Sequence, residues 1–204
     1  MPTLLATIAS QTASLTVALF DAATATEWVP TKPAANKAQF TGHPAQIMRG
    51  LAKGEDAAPF DVAGSSGLAF ELEGKSGRIE IYRIDRDTLA FVAPPRPSWT
   101  GSPEAVEVLF ADAFASTDDA SDLGEIELTS GRLAAVYMWH KKVGAARDVA
   151  VSGDGATTFG DGYGDFDNGA VIAATAGTYR LSKRELVAPW DDGQTLVVVY
   201  AVRG

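Results

Sequence analysis

A chain of 204 residues with 46% apolar side chains is long and apolar enough to bury a core, and its lack of cysteine excludes disulfides, thiolate metal sites and cysteine nucleophiles. The net charge of −9 argues against binding a phosphate backbone, which needs clustered Lys and Arg, so no nucleic-acid partner is expected. Met1 to Phe20 carry no charge and so lack the basic start of a signal peptide; no stretch approaches the roughly 20 apolar residues of a membrane span, and a cytoplasmic protein without a membrane partner is expected.

In chain order, Leu4 to Ile8 and Leu15 to Phe20 predict two strands joined as a hairpin. Residues 26–40, with Pro30 and Pro33, predict a surface connection. A short helix near 44–53 follows from the spacing of Ile47, Met48 and Leu51, weakened by Gly50. Further strands are predicted at Phe60–Val62, Leu68–Leu72, Arg78–Ile84 and Leu89–Val92 before Pro94, Pro95 and Pro97 end the first half. In the third of these, Ile79, Ile81 and Arg83 share one face and Glu80, Tyr82 and Ile84 the other. The turn residues Glu73 to Gly77 predict a hairpin between the second and third.

The clearest local signal is a helix over about 103–115. Ser102 is a cap, Pro103 suits the first helical position, and Glu104 suits the positive end of the helix dipole. Val106, Leu109, Phe110, Ala113 and Phe114 form its apolar stripe, with Glu104, Glu107 and Ala111 opposite. An acidic loop, 116–122, follows. Strands then resume at Glu125–Leu128, Leu133–Trp139, Val149–Val151, Ala170–Ala174, Thr178–Leu181 and Thr195–Val202.

These elements predict a mainly β protein, an antiparallel sandwich or barrel-like fold, with a β-rich half at 1–92, an acidic linker with the helix at 93–125 and a second β-rich half at 126–204. Shifting the chain by 118 residues places Ile8 on Ile126, Leu15 on Leu133, Gly42 on Gly160 and Tyr82 on Tyr200. The order of apolar runs and turns then suggests an internal duplication bridged by the helix.

Motifs for chemistry fail on spacing. Gly74-Lys75-Ser76 lacks the earlier glycine and following helix of a phosphate loop, and Gly64-Ser65-Ser66-Gly67 lacks the spacing of a nucleophile elbow. His43 reads as a helix-entry residue, and His140 as part of an exposed strand end with Trp139, Lys141 and Lys142. In the loop 160–169, Asp165, Asp167 and Asn168 offer oxygen ligands, but the EF-hand register fails; a plain loop, a partner contact and a metal site are its three readings. The alternating carboxylates Glu71/Glu73 and Glu125/Glu127 are common on exposed strand faces. No catalytic residue, cofactor or metal is expected.

Residues 93–125 carry one cation against seven carboxylates, six of the nine excess negative charges. A basic protein partner is therefore expected, contacted by Glu104, Glu107, Asp118, Asp119 and Asp122, with Trp99, Trp139 and His140 and the loop residues Asp161, Asp165 and Asp167 as further contacts. In size, acidity and missing catalytic apparatus the chain resembles small acidic β-rich bacterial immunity proteins, which implies an inhibitor that covers a toxin or nuclease. An enzyme or ligand-binding domain whose site assembles only in the fold, and a structural subunit of a larger particle, are the alternatives.

Overall fold

A computed structural model describes residues 2–9, 14–30, 41–73, 77–94, 107–109, 111–112, 120–161, 167–187 and 195–204. Twelve strands account for most of them: β1 (Thr3–Ala9), β2 (Ser14–Asp21), β3 (Ala57–Val62), β4 (Ser65–Glu73), β5 (Arg78–Arg83), β6 (Thr88–Ala93), β7 (Ser121–Leu128), β8 (Arg132–Tyr137), β9 (Ala156–Phe159), β10 (Gly169–Ala173), β11 (Gly177–Val187) and β12 (Thr195–Arg203). They form two six-stranded antiparallel sheets, sheet I in the order β1-β5-β6-β12-β11-β7 and sheet II in the order β3-β4-β2-β8-β10-β9. The architecture is a β sandwich and not a closed barrel.

Alternation explains the layering. In β5, Ile79 and Ile81 point into the space between the sheets, where they join Ile8, Val17, Leu19, Phe70, Phe91, Leu133, Leu181 and Val199. Phe70 of sheet II meets Phe91 of sheet I edge to face at 6.0 Å. The opposite faces are covered as well. Over sheet I, Tyr82, Val92, Val198 and Tyr200 pack with Leu109 of the connecting helix. Over sheet II, α1 (Gly42–Leu51) and two 3-10 helices, Ala22–Glu27 and Val143–Arg147, bury Phe20, Trp28, Ile47, Phe60 and Val143.

The helix of the linker is described at residues 107–109 and 111–112, which are helical. There Leu109 is fully buried while Glu107 and Ala111 are exposed, as the stripe requires. Ser102, Pro103, Glu104, Phe110 and Phe114 lie outside the described residues. Tyr200 donates its hydroxyl proton to the Leu109 carbonyl at 3.1 Å. Arg184, only 8% exposed, donates to the Asp112 carbonyl at 2.6 Å, pairs with its carboxylate at 3.2 Å and lies over the Tyr200 ring. An arginine held by a carboxylate, a carbonyl and an aromatic face is a strong anchor for a helix on a sheet.

Both expected hairpins are corrected. β1 lies in sheet I and β2 in sheet II, and β4 and β5 are likewise in different sheets, so each connection crosses the sandwich. Alternation fixes which face a residue takes but not which strand it pairs with, and Ile8 and Val17 reach the same core from opposite sides. The expected strand at Val149–Val151 is also absent. The Arg132 guanidinium donates to the Arg147, Ala146 and Val149 carbonyls, and Thr157 to that of Ala150, so this backbone is held by side chains instead of a ladder.

The strand order repeats. Sheet I reads β1-β5-β6 and then, mirrored, β12-β11-β7; sheet II reads β3-β4-β2 and then β8-β10-β9. A shift of 118 carries β1 onto β7 and β2 onto β8, with Ile8 on Ile126 and Leu15 on Leu133. Beyond β2 the shift fails. Ile8 faces Ile79 where Ile126 faces Tyr179, which lowers it to 100 in β5, and Ile81 faces Phe91 where Leu181 faces Ala201, which raises it to 110 in β6. Tyr82 in β5 therefore does not correspond to Tyr200 in β12. The cause is connection length: residues 22–56, with α1, are nearly twice as many as residues 138–155 between β8 and β9, and the β11–β12 hairpin is longer than the β5–β6 turn.

Glu80 and Tyr82, side by side on the outer face of sheet I, form a buried polar pair. Tyr82 donates to the Glu80 carboxylate at 2.6 Å, and Arg78 lies 3.2 Å from it. Burial raises the Glu80 pKa above the usual carboxylate value despite these two partners. A carboxyl raised in the folded state favours the protonated form there, so its contribution to stability is present at low pH and is lost as pH rises through the folded value. Glu80→Gln keeps an acceptor for Tyr82 and removes the titration; urea melts should show the wild type losing stability relative to this variant between about pH 4 and pH 8. A constant difference across that range would refute the assignment.

Candidate functional site

Three exposed carboxylates line the β7 edge of sheet I. Leu123, Ile126 and Leu128 point inward and are buried, so Asp122, Glu125 and Glu127 are left exposed. Gly124 adopts a φ of 115° where the register shifts between Leu181 and Ser182, and its amide donates to the Asp122 carboxylate at 3.1 Å. Beyond that bulge Glu125 and Glu127 follow on one side of the strand, opposite Arg180 and Thr178 of β11.

One part of the charge reading is corrected here. Asp122 forms an ion pair with Arg180, and Asp112 pairs with Arg184. Both cations come from β11, which the sequence places far from the acidic segment. The guanidinium holds the Asp122 carboxyl below its usual range. On β7 and the described part of the connecting helix, the exposed carboxylates besides Asp122 are Glu107, Glu125 and Glu127, and spacing had placed the last two on a strand face where such pairs are routine. Their place on a sheet edge is a property of strand order, which alternation does not carry. Glu104, Asp118, Asp119, Trp99 and Asp165 fall outside the described residues.

His140 does not sit at an exposed strand end. β8 stops at Tyr137 and lies at the centre of sheet II, and the chain then turns, with the His140 amide donating to the Tyr137 carbonyl at 2.8 Å. The His140 ring is 1% exposed, against Phe159 at 4.8 Å, and its Nδ1 accepts from the Lys142 amide at 3.1 Å. Burial lowers its basicity, outweighing the nearby Asp161 carboxylate, so the neutral ring is favoured. Trp139 is partly buried against the cluster outside sheet II.

Asp161 is buried too. Its amide donates to the Asn168 side-chain oxygen at 3.2 Å and its carboxylate accepts from the Lys141 amide at 3.3 Å, which closes the base of the loop. Asp167 is exposed, but its carboxylate accepts from the Thr158 hydroxyl and its carbonyl from the Ala9 amide. Asp161, Asp167 and Asn168 thus hold the loop to the sandwich through hydrogen bonds. His43 stands at the start of α1 as expected. Its Nδ1 accepts from the Val29 amide at 2.7 Å, so Nε2 carries the proton and donates to the Asp61 carbonyl at 3.0 Å.

A residue the sequence did not single out has the densest polar environment. Asp21, at the end of β2 and fully buried, accepts from the Ala23 amide at 2.9 Å and so caps the first 3-10 helix. It also accepts from the Thr129 and Ser130 amides, at 2.6 and 2.8 Å, and from both hydroxyls. Burial alone would raise its pKa, but the bonds from Ser130, Ala23 and Thr129 together hold it below the usual range. The only available signal was an Asp ahead of a possible turn.

The two sheets and their covering helices define an antiparallel β-sandwich protein with a repeated strand order. Compared with known proteins, the chain matches no family model, no curated protein and no solved structure. No helix among the described residues is long and apolar enough to cross a membrane.

Proposed function

We propose that the protein is a non-enzymatic binding module that covers a basic protein partner, in the manner of an inhibitor of a cationic toxin or nuclease. The observation that supports this reading is the exposed carboxylate pair Glu125 and Glu127 on the β7 edge of sheet I, in a chain whose net charge is −9. The buried charged groups Asp21, Glu80 and Arg184 are engaged in internal hydrogen bonds, whereas these two carboxylates stand at the surface. Exposed like charges on a rigid edge steer a cationic partner and set its orientation, while affinity comes from buried anchors.

The test starts with a partner captured from native cell extract. Replacing Glu107, Glu125 and Glu127 together by Gln should leave the melt unchanged and slow association several-fold at low salt. Most of that effect should vanish at high ionic strength, since exposed charges are screened beyond about 8 Å at physiological salt. Association rates that ignore the substitutions at every salt concentration would reject this surface.

A further inference from the structure

The repeat leaves one seam of the sandwich closed and its counterpart open. At the start of β7, Ser121 faces Lys183; at the corresponding start of β1, Thr3 faces Arg83. Lys183 reaches Asp56, just ahead of β3, at 3.0 Å, so an ion pair joins the two sheets. Arg83 instead donates to the Ala173 carbonyl, and among the described residues it forms no ion pair. Beside it a cleft of about 610 Å³ opens, with Arg83, Asp85 and Arg86 from sheet I and Asp154, Ala174 and Thr175 from the sheet II side among its walls.

A partly buried guanidinium without a carboxylate partner is an electrostatic cost that an incoming anion removes, and its planar fork suits a carboxylate. Arg86, exposed at the same cleft, adds a second guanidinium. The Asp85 carboxylate in the wall accepts from the Asp87 amide at 2.8 Å, exposed Asp154 supplies the opposite charge, and Ala173 and Ala174 give an apolar surface. Cations, an anion and an aliphatic patch within one cleft match a small molecule that carries all three complements.

We propose that this cleft binds a small zwitterion of the α-amino-acid type, with its carboxylate on Arg83 and Arg86, its ammonium toward Asp154 and an aliphatic side chain against Ala173 and Ala174. The site lies beside β1, at the opposite edge of sheet I from β7, and is independent of the acidic surface. Amide chemical shifts followed during titration with L-leucine test it, with 4-methylpentanoate and isopentylamine as probes lacking the ammonium or the carboxylate.

L-leucine should give saturable shifts confined to residues 83–87, 153–155 and 173–175. Arg86→Gln should raise its Kd at least tenfold. Asp154→Asn should weaken L-leucine but not 4-methylpentanoate, and isopentylamine should give no saturable shift. Both substituted side chains are exposed, so the fold is retained. No saturable shift with L-leucine, shifts centred elsewhere, or unchanged affinity in both variants would overturn the proposal.

Discussion

Replacing Asp21 by alanine is expected to cost the fold about 3–5 kcal/mol, measured by urea denaturation at pH 7. The carboxylate accepts from three backbone amides and two hydroxyls in a fully buried position, and alanine leaves those donors without an acceptor. A fully buried orphaned donor costs about 1–3 kcal/mol, but Ala23, Thr129 and Ser130 are themselves exposed, so water reaches part of the freed donors and keeps the total below the sum. Thr129 and Ser130 belong to the turn that carries the chain from β7 in sheet I to β8 in sheet II, so the loss falls where the two sheets are joined.

Asp21→Asn should also be destabilising, because the amide offers one acceptor oxygen and turns two donors toward donors. The pH dependence carries a definite sign. A carboxylate whose folded pKa is lowered contributes stability that is present above the unfolded pKa, about 3.9, and is lost as pH falls through the folded pKa. The gap between wild type and Asp21→Asn should therefore be widest above pH 4 and shrink below it. A cost under about 1 kcal/mol for the alanine variant would mean that the crossing turn is held by other contacts.

The second large effect concerns the connecting helix. Leu109→Ala should cost about 2–5 kcal/mol, since Leu109 is fully buried against Tyr82, Val198 and Tyr200, and truncation leaves a cavity beneath the helix. Glu107→Ala, one half-turn away and exposed, should stay within about 0.5 kcal/mol. Two equally mild results in a chemical melt would show that the helix contributes little to covering sheet I.

These predictions differ in how far the sequence alone could reach them. Leu109 was legible, because a stripe at i, i+3 and i+4 is a local pattern and local patterns survive into any fold that keeps the helix. The two faces of β5 were legible for the same reason: Ile79 and Ile81 reach the inter-sheet core, and Glu80 and Tyr82 share the outer face. Asp21 was not. Its donors come from its own 3-10 helix and from a turn more than a hundred residues later, and nothing at Asp21 announces that turn. The same limit applies to Asp122 and Asp112, whose neutralising arginines lie on β11, and to His140, whose burial follows from the central place of β8.

The repeated strand order shows where the boundary lies. Apolar runs separated by turns determined that the chain is mainly β, that its strands have a dry face, and that similar text precedes and follows one amphipathic helix, because side-chain alternation and helix periodicity are written in consecutive residues. Only the tertiary structure decided that β1 and β2 belong to different sheets, that β6 meets β12 at the centre of one sheet and β2 meets β8 at the centre of the other, and that Tyr82 has no counterpart in Tyr200. Strand partners and register are chosen by which apolar faces can be buried together across long loops, and connections of unequal length shift the numbering without changing that choice.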